Sequence, residues 1–390
     1  MEKYSAYRDA GTGIQPFLTP LAPASASGPL DIALVPLKYL FGTLRVLLCL
    51  ITLLLYVVIV QGICLLFYPI APLHRILSSI FTAIIARLSL LFMGFYWISV
   101  TMTPRKRGRA AKDALNESWS PRTGDLIISN WASYVEILWL AFRFNPTFVL
   151  PIATPPPQTE VESPSPSRVT GRRTGTGSAN VSLPTTASTP RSRSAIQGFR
   201  EVSLLKILAS TGRIPPFGID NSSTPPRSLE DIRKSARGPV VAFPECTTSN
   251  GRALLRFAQV FGDDVKLPVK QYGVYVMSVR YDAPTTHSPT LTLSLPPPSS
   301  SPIPNPLAHL FSTALNPASR VSIRLLPPSE SPSSGSFIVS DIVTSGGSDR
   351  ELLREACEAL VAGLGKLKRT QLGWEEKAGL MQVYYGSSQH

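Results

Sequence analysis

The polar run with the most specific spacing spans residues 243–252, Phe-Pro-Glu-Cys-Thr-Thr-Ser-Asn-Gly-Arg, in a chain of 390 residues. It continues residues 240–243, a short apolar segment typical of a buried strand. Hydroxyl groups, the amides of a glycine turn and an arginine are donors that bind phosphate oxygens. The pattern of residues 253–260 predicts a helix, whose N-terminus adds a favourable partial charge. The run is therefore either a phosphate site or a polar loop that caps a helix.

A second polar run, Asn-Trp-Ala-Ser-Tyr-Val-Glu at residues 130–136, follows another predicted strand at residues 125–129. A helix is predicted over residues 134–144. Ser133 stands three residues before Glu136 at the start of that helix, which is the spacing of a capping box. On spacing alone, a helix cap is the simpler interpretation of this run.

Together and in this order, the two runs resemble the first and third motifs of the glycerophospholipid acyltransferase family. That family contains the 1-acylglycerol-3-phosphate acyltransferases, and its motifs are Asn-His-x-Ser-x-x-Asp and Phe-Pro-Glu-Gly-Thr. Residues 206–220 are similar to a loose second motif, and the segment from Leu267 to Tyr281 resembles the fourth. The resemblance covers residues 100–285. The first residues of the chain, from Met1 to Phe17, resemble the start of the fungal lysophosphatidic acid:oleoyl-CoA branch.

The resemblance implies transfer of a fatty acyl group from acyl-CoA to the free hydroxyl of a lysophospholipid. Lysophosphatidic acid is the expected acceptor and phosphatidic acid the expected product. No metal and no bound cofactor are implied, because acyl-CoA arrives as a co-substrate. The family implies an endoplasmic reticulum membrane or a lipid droplet, with the catalytic domain in the cytosol. Protein partners are not predicted.

The resemblance also assigns roles to individual residues. Glu136, at the position of the family's aspartate, would accept the proton of the glycerol hydroxyl, with Asn130 and Ser133 shaping that corner. Glu245 would contact the glycerol phosphate region. The expected phosphate ligands are Thr247, Thr248, Gly251 and Arg252, with Arg213 as a further ligand.

The chain departs from the family pattern at the residue that matters most for chemistry. Trp131 occupies the position of the motif histidine, and an indole cannot accept a proton there. Cys246 replaces the glycine of the third motif. Three explanations stay open: Glu136 acts as the base, His287 or His309 approaches from a loop, or the site binds lipid without chemistry. A lipid-binding protein without turnover is therefore the alternative function, and a basic membrane scaffold is a third.

The N-terminal part of the chain predicts a membrane anchor. Residues 46–68 form an uncharged apolar stretch of about 23 residues, enough to cross a bilayer of about 30 Å. Residues 76–100 form a second stretch with Arg87 near its middle, which is costly in a bilayer. We expect a hairpin with both ends in the cytosol, or a single span followed by an amphipathic helix at the interface or against the domain. Five basic residues between 105 and 112 and a net charge of +13 favour an anionic membrane over nucleic acid.

Strands that alternate with helices predict an α/β domain, in which a mixed sheet is flanked by helices. The four cysteines have neither metal-ligand nor disulfide-framework spacing. A further strand is predicted at residues 274–281, and helices at residues 199–210 and 348–367. The expected organisation is a polar segment at 1–37, apolar anchors at 38–100, the acyltransferase domain at 101–152 and 195–285, a disordered insertion at 153–194, a Pro/Ser-rich region with short strands at 286–340, and a helical segment at 341–390.

Overall fold

The computed structural model describes residues 4–23, 29–106, 108–153, 194–218, 225–262, 265–285, 288–298, 301–343 and 347–386. Apart from its two end residues, the insertion predicted to be disordered lies outside these ranges. His287 and the last residues of the loose second motif also lie outside them.

A seven-stranded, mostly parallel sheet forms the centre of the molecule. In chain order the strands are β1 (Ser99–Met102), β2 (Leu126–Ile128), β3 (Thr147–Ala153), β4 (Ile196–Val202), β5 (Val240–Ala242), β6 (Ala253–Leu254), β7 (Val274–Tyr281), β8 (Val321–Leu325) and β9 (Lys368–Arg369). The sheet order is β1-β8-β7-β2-β5-β3-β4, and β6 pairs with β9 in a separate two-stranded sheet. The four inner strands β7, β2, β5 and β3 run parallel, and β4 and β8 run antiparallel to their neighbours β3 and β7. The predicted α/β class is confirmed.

Helices flank this sheet. They are α1 (Pro29–Leu55), α2 (Ala71–Phe92), α3 (Arg109–Leu115), α4 (Val135–Phe144), α5 (Leu204–Ser210), α6 (Leu229–Ser235), α7 (Leu307–Ala314), α8 (Asp349–Gly365) and α9 (Trp374–Gly386). Alternate residues of a strand point to opposite faces. Ile127 therefore packs in a core with α2, α4 and α7, and Leu126 and Ile128 pack in a second core with α6 and α8.

The two N-terminal apolar helices are long and apolar enough to cross a membrane, judged by length and composition. The first continues beyond α1 through a π-helical turn (Tyr56–Gly62) and a 3-10 turn (Ile63–Phe67). The second is α2, which has Pro72 in its first turn. The expected second stretch is too long at its C-terminal end, because Gly94 has a φ of +91° that stops the helix and β1 then joins the sheet.

Arg87 explains how α2 tolerates a charge near its middle. Its guanidinium donates hydrogen bonds to the carbonyl oxygens of Phe95 (2.9 Å) and Tyr96 (2.7 Å). It also lies 6.0 Å from the ring centroid of Phe142 in α4. The helix therefore packs against the domain, and its charge is met by protein groups.

Arg45 ties α1 to the domain in a similar way. It is buried and donates to the carbonyl oxygens of Asn316 (2.6 Å) and Pro317 (2.8 Å) and to the Tyr96 hydroxyl. A buried guanidinium that lost these acceptors would be costly, so the helix has a fixed position on the domain.

Two predicted helices are wrong in whole or in part. Residues 253–260 form β6 followed by a loop, because the backbone of Ala253 and Leu254 pairs with β9. No helix N-terminus therefore follows the third motif. The first half of the helix predicted at residues 199–210 is strand β4, which pairs with β3, and the helix begins only after Ser203 caps it. The predicted strands β2, β5 and β7 and the predicted helices α4 and α8 are confirmed, and α9 lies in the C-terminal segment that was expected to be helical.

Candidate active site

The two polar runs meet because they follow neighbouring parallel strands, and carboxyl ends of parallel strands lie at one edge of a sheet. Asn130, at the start of the first run, connects this edge of the sheet to β7. Its side-chain amide donates to the carbonyl oxygen of Val279 (2.9 Å), and its side-chain oxygen accepts from the Val279 amide (2.7 Å). Asn130 therefore fixes the start of the first run relative to β7.

Glu245 joins the first run to the third-motif turn. One carboxylate oxygen accepts from the Trp131 amide (2.8 Å), and the other accepts from the Leu255 amide (3.0 Å). The side chain is fully buried, and burial raises the pKa of Glu245 to about 8. Glu245 therefore connects the first polar run to the segment after the third-motif turn, with one backbone amide bound at each carboxyl oxygen.

Glu136 is enclosed by donors on both oxygens. Oε1 accepts from the amides of Ala132 (2.6 Å) and Ser133 (2.7 Å), and Oε2 accepts from the Tyr281 hydroxyl. Burial raises the pKa of Glu136 to about 7, and these donors act in the opposite direction. The carboxylate caps the loop before α4 and has no exposed surface. Direct contact with a substrate hydroxyl would therefore need Tyr281 to move or to relay a proton.

Ser133 does not cap the helix with its side chain, although the capping-box spacing is present. Its hydroxyl is buried beside the Tyr281 phenol and makes no hydrogen bond of good geometry within the described part of the chain. It is therefore a polar group at the corner between Glu136 and Tyr281.

Trp131, which stands where the resembled motif has a histidine, is a packing residue in this structure. Its ring is fully buried and stacks on Phe243, with centroids 4.9 Å apart and planes at 24°. Phe217 lies on it at 6.3 Å. The indole N–H donates to the Ser133 carbonyl oxygen (3.1 Å) rather than to Glu136.

The third-motif turn is shaped by left-handed backbone at two residues. Cys246 has a φ of +55°, a conformation that favours glycine and is uncommon for other residues. Gly251 has a φ of +73°, and a Cβ there would stand 3.2 Å from Thr292 Cγ2. A side chain at residue 251 would therefore be strained, whereas Cys246 is accommodated with its thiol buried.

The two threonines of the turn bind backbone rather than face solvent. Thr247 Oγ1 donates to the Arg213 carbonyl oxygen (2.7 Å), and Thr248 Oγ1 donates to the Leu293 carbonyl oxygen (2.6 Å). Both threonines are fully buried. The cationic side chains of Arg213 and Arg252 are exposed, so these two remain accessible to a phosphate.

Lys377 is a functional candidate that the sequence did not reveal. It projects from α9, is fully buried, and donates from Nζ to Thr247 Oγ1 (2.7 Å) and to the Thr248 carbonyl oxygen (2.9 Å). Burial lowers the pKa of Lys377 well below its usual range, and Glu245 opposes this shift. No local pattern marks this lysine, since it becomes buried only through tertiary packing.

The N-terminal segment covers the other side of the turn. The backbone N–H of Asn250 donates to the carbonyl oxygen of Pro16 (2.8 Å). Its side-chain amide donates to the carbonyl oxygens of Gln15 (2.7 Å) and Leu18 (2.9 Å). Residues preceding the apolar helices therefore form part of the site.

Side-chain packing holds this N-terminal segment in place. Phe17 is fully buried in a small cluster with Leu255 and Leu380 of α9. Asp9 accepts from the Gln371 amide (2.9 Å) in the loop before α9. The first residues of the sequence resemble the start of a family, but that resemblance does not predict where they lie in the structure.

An apolar cavity of about 270 Å³ lies between the N-terminal apolar helices and the domain. Tyr134, from the first polar run, is in its wall. Other lining residues come from α1, α2, α4, α5 and α7, among them Cys49, Leu53, Ile85, Leu138, Leu208 and Leu310. The cavity thus links the membrane-type helices to the motif.

His309 lies on α7, next to the same motif residue. Its Nδ1 is 3.2 Å from the Tyr134 hydroxyl, and its Nε2 is 3.1 Å from the Thr290 carbonyl oxygen. Of the two histidines that the sequence offered as substitutes, this is the one that the structure describes. Within the described ranges, no group of three or more His, Cys, Asp or Glu residues could hold a metal ion.

We expect Lys377→Met to lower the free energy of unfolding by about 1–3 kcal/mol, because it leaves buried Thr247 Oγ1 and the Thr248 carbonyl oxygen without their donor. Exposed Lys368→Met, in β9, should change it by less than about 0.5 kcal/mol. Chemical denaturation in detergent measures both. Equal stability of the two variants would contradict the role of Lys377 as a buried link.

Glu136 and Glu245 should make the protein less stable as pH rises. Their folded pKa values, about 7 and about 8, exceed the ordinary value of 4.5. The unfolded chain loses these protons first, so their contribution is complete below about pH 4.5 and is lost as pH rises through the folded values. Lys377, with its lowered pKa, acts in the opposite sense in wild type and variant alike.

The double variant Glu136→Gln/Glu245→Gln should therefore lose less stability than wild type between about pH 4.5 and pH 8. Exposed Glu201→Gln serves as the control and should follow wild type. The free energy of unfolding at a series of pH values tests this, and a wild-type slope in the double variant would refute it.

Comparison of the chain with protein-family models, with curated proteins and with solved structures found no match. The acyltransferase resemblance therefore rests on the motif residues themselves, and its functional content is a proposal.

Proposed function

We propose that this protein transfers a fatty acyl group from acyl-CoA to the free hydroxyl of a lysophospholipid. Lysophosphatidic acid is the proposed acceptor, and phosphatidic acid is the product. The observation that carries the proposal is the apolar cavity, because it runs from the membrane-type helices to Tyr134 within the first motif run. The proposal does not depend on an intact motif histidine.

The cavity has the chemistry of an acyl-chain site. Its lining is almost entirely apolar, with Leu53 and Ile85 on the membrane side and Leu138 on the domain side. Burial of each methylene group contributes about 0.8 kcal/mol, so a fatty chain gains more there than a polar ligand would. An acyl chain in this cavity would place its carboxyl end beside the first motif run.

The polar end of the substrate fits the third-motif turn. Arg213 and Arg252 are exposed on two loops, and Thr247 links these loops by its hydrogen bond to the Arg213 carbonyl. Guanidinium groups can bind phosphate oxygens in a bidentate way. We assign the lysophospholipid phosphate to these two arginines, while the threonines, Glu245 and Gly251 maintain the turn.

The reaction needs a group that receives the proton of the attacking hydroxyl. The acceptor oxygen attacks the thioester carbonyl, the C–S bond breaks, and CoA leaves as a thiolate that takes up a proton. Glu136 is the candidate from the sequence, but both of its oxygens already accept hydrogen bonds, so it could act only through Tyr281. Its pKa of about 7 suits general-base catalysis near neutral pH.

The membrane setting is part of the proposal. Two N-terminal apolar helices suit membrane association, and they pack against the domain through Arg45 and Arg87. We propose that these helices anchor the protein on the cytosolic face of the endoplasmic reticulum or a lipid droplet, either as a hairpin or as one span with α2 held against the domain. Acyl-CoA and lysophospholipid would then reach the site from the cytosol and from the membrane, respectively.

A lipid-binding protein without turnover is the second candidate. The observation that favours it is the replacement of the histidine by a stacked Trp131, together with the lack of exposed surface at Glu136. Such a protein would bind the same lipids through the same cavity and arginines.

The decisive experiment uses full-length protein in detergent, labelled oleoyl-CoA and a panel of lysophospholipids. We expect turnover with lysophosphatidic acid, and a KM at least about ten-fold higher in Arg252→Ala, which loses a charge-assisted contact worth about 1.5 kcal/mol or more. Exposed Arg320→Ala, just before β8, should leave KM unchanged. Lipid binding without turnover in wild type would establish the second candidate. Absence of both lipid binding and turnover would refute both candidates.

Narrowing the cavity should change acyl-chain preference. Ala209 lines the cavity, so Ala209→Phe should exclude part of a long chain, and loss of two methylene contacts costs about 1.6 kcal/mol. The preference for oleoyl-CoA over decanoyl-CoA should then fall at least about ten-fold. Ala308→Phe, exposed on α7, is the matched control and should keep the wild-type preference. An unchanged preference in both variants would remove the cavity from the acyl-chain assignment.

A further inference from the structure

We propose that Tyr134 and His309 form a proton-accepting pair at the wall of the apolar cavity and replace the histidine missing from the motif. The inference rests on the proposed acyl transfer and names the groups that receive the proton. It assigns the task to a side chain within the first motif run and to a histidine 175 residues further along the chain.

The hydrogen bonds define which nitrogen of His309 accepts. Nε2 lies 3.1 Å from the Thr290 carbonyl oxygen, and a carbonyl oxygen can only accept. Nε2 must therefore carry the ring proton, which leaves a lone pair on Nδ1 in the neutral imidazole. Nδ1 lies 3.2 Å from the Tyr134 hydroxyl, so the phenol donates to it.

The surroundings keep this imidazole neutral. Burial lowers the pKa of His309 to about 4, against two backbone carbonyls that act in the other direction. At neutral pH the ring is therefore a free acceptor rather than an imidazolium. The Tyr134 ring meets it edge-on at 5.6 Å, and the Thr313 hydroxyl is the other polar neighbour of the phenol, at 3.4 Å.

The location of the pair matches the proposed substrate path. Tyr134 lines the cavity, and Leu307 and Leu310, which lie beside His309 on α7, line it too. Glu136, two residues after Tyr134, is less accessible because two amides and the Tyr281 hydroxyl occupy its oxygens. Tyr134 is thus the motif residue that lines the cavity and whose hydroxyl also meets a basic nitrogen.

The proton transfer balances without any other reactant. The acceptor hydroxyl gives its proton to Tyr134 Oη as the phenol proton moves to His309 Nδ1. The freed oxygen bonds to the thioester carbonyl carbon, the C–S bond breaks, and its electron pair stays on sulfur. The proton on His309 then returns through Tyr134 to the CoA thiolate, which restores both groups.

The test compares Tyr134→Phe, His309→Gln and the double variant in the full-length protein with oleoyl-CoA and lysophosphatidic acid. We expect kcat to fall by roughly 10²–10⁴ in each single variant, with KM for lysophosphatidic acid changed less than about two-fold. The double variant should lose little more than either single one, because the two groups act as a unit. Glu136→Gln keeps an amide oxygen that accepts from Ala132 and Ser133, while its amide nitrogen can donate to the Tyr281 oxygen, and it should retain more turnover than His309→Gln.

His74→Gln is the matched control, since His74 lies at the start of α2, outside the cavity lining. It should keep wild-type kcat. Thermal unfolding identifies variants that do not fold, and added imidazole should restore part of the turnover of His309→Ala. If His309→Gln does not fold, Tyr134→Phe and imidazole rescue decide the matter.

Several outcomes would overturn the inference while leaving acyl transfer intact. They are wild-type kcat in folded Tyr134→Phe or His309→Gln, independent additive losses in the double variant, and abolition of turnover by Glu136→Gln alone. Absence of turnover in wild type is distinct from these, because it refutes the proposed acyl transfer itself.

Discussion

The structure depends on two buried carboxylates whose oxygens must be matched by donors. A buried carboxylate is costly unless it is fully hydrogen bonded, so each of these side chains constrains the loops that supply its partners. Glu245 binds one amide from the first motif run and one from the chain after the third-motif turn. Glu136 binds two further amides and the Tyr281 hydroxyl at the end of β7. The loops after three adjacent parallel strands are thereby held in one arrangement, and any chemistry must use what this arrangement leaves accessible.

Both ends of the described chain reinforce the same turn. Lys377 approaches the threonines of the turn from α9, and residues Gln15 to Leu18 bind Asn250 from the other side. Phe17 packs with Leu380 of α9, so the two contributions support each other. The conformation of the third-motif turn therefore depends on contacts with distant segments and not on its local sequence alone. This is also why Cys246 can adopt a left-handed backbone, since its surroundings outweigh the modest local cost.

Local pattern was enough to predict the elements that carry the motifs, and it failed where pairing between distant segments decides. Apolar runs before residues 130 and 243 predicted β2 and β5, and the spacing after Tyr134 predicted α4. Residues 253–260 have a helical pattern, but pairing with β9 holds their start as a strand. Lys377 and His309 could not be found in the same way, because their partners lie 130 and 175 residues away in sequence. The site residues named from the motifs do come together, although Thr247 and Thr248 use their hydroxyls for neighbouring loops.

Trp131 stands where the resembled motif has a histidine, and its surroundings explain what it does there. Trp131 stacks on Phe243 and approaches Phe217, so the position has become part of the apolar core that supports the turn. Its N–H is directed to the Ser133 carbonyl, and the nearby Glu136 carboxylate accepts from amides and from Tyr281. The indole at residue 131 offers no proton acceptor, and the packing around it is apolar. Under the proposed function, the proton therefore has to be received elsewhere, and Tyr134 lies in the cavity wall with His309 as its only nitrogen partner among the described residues.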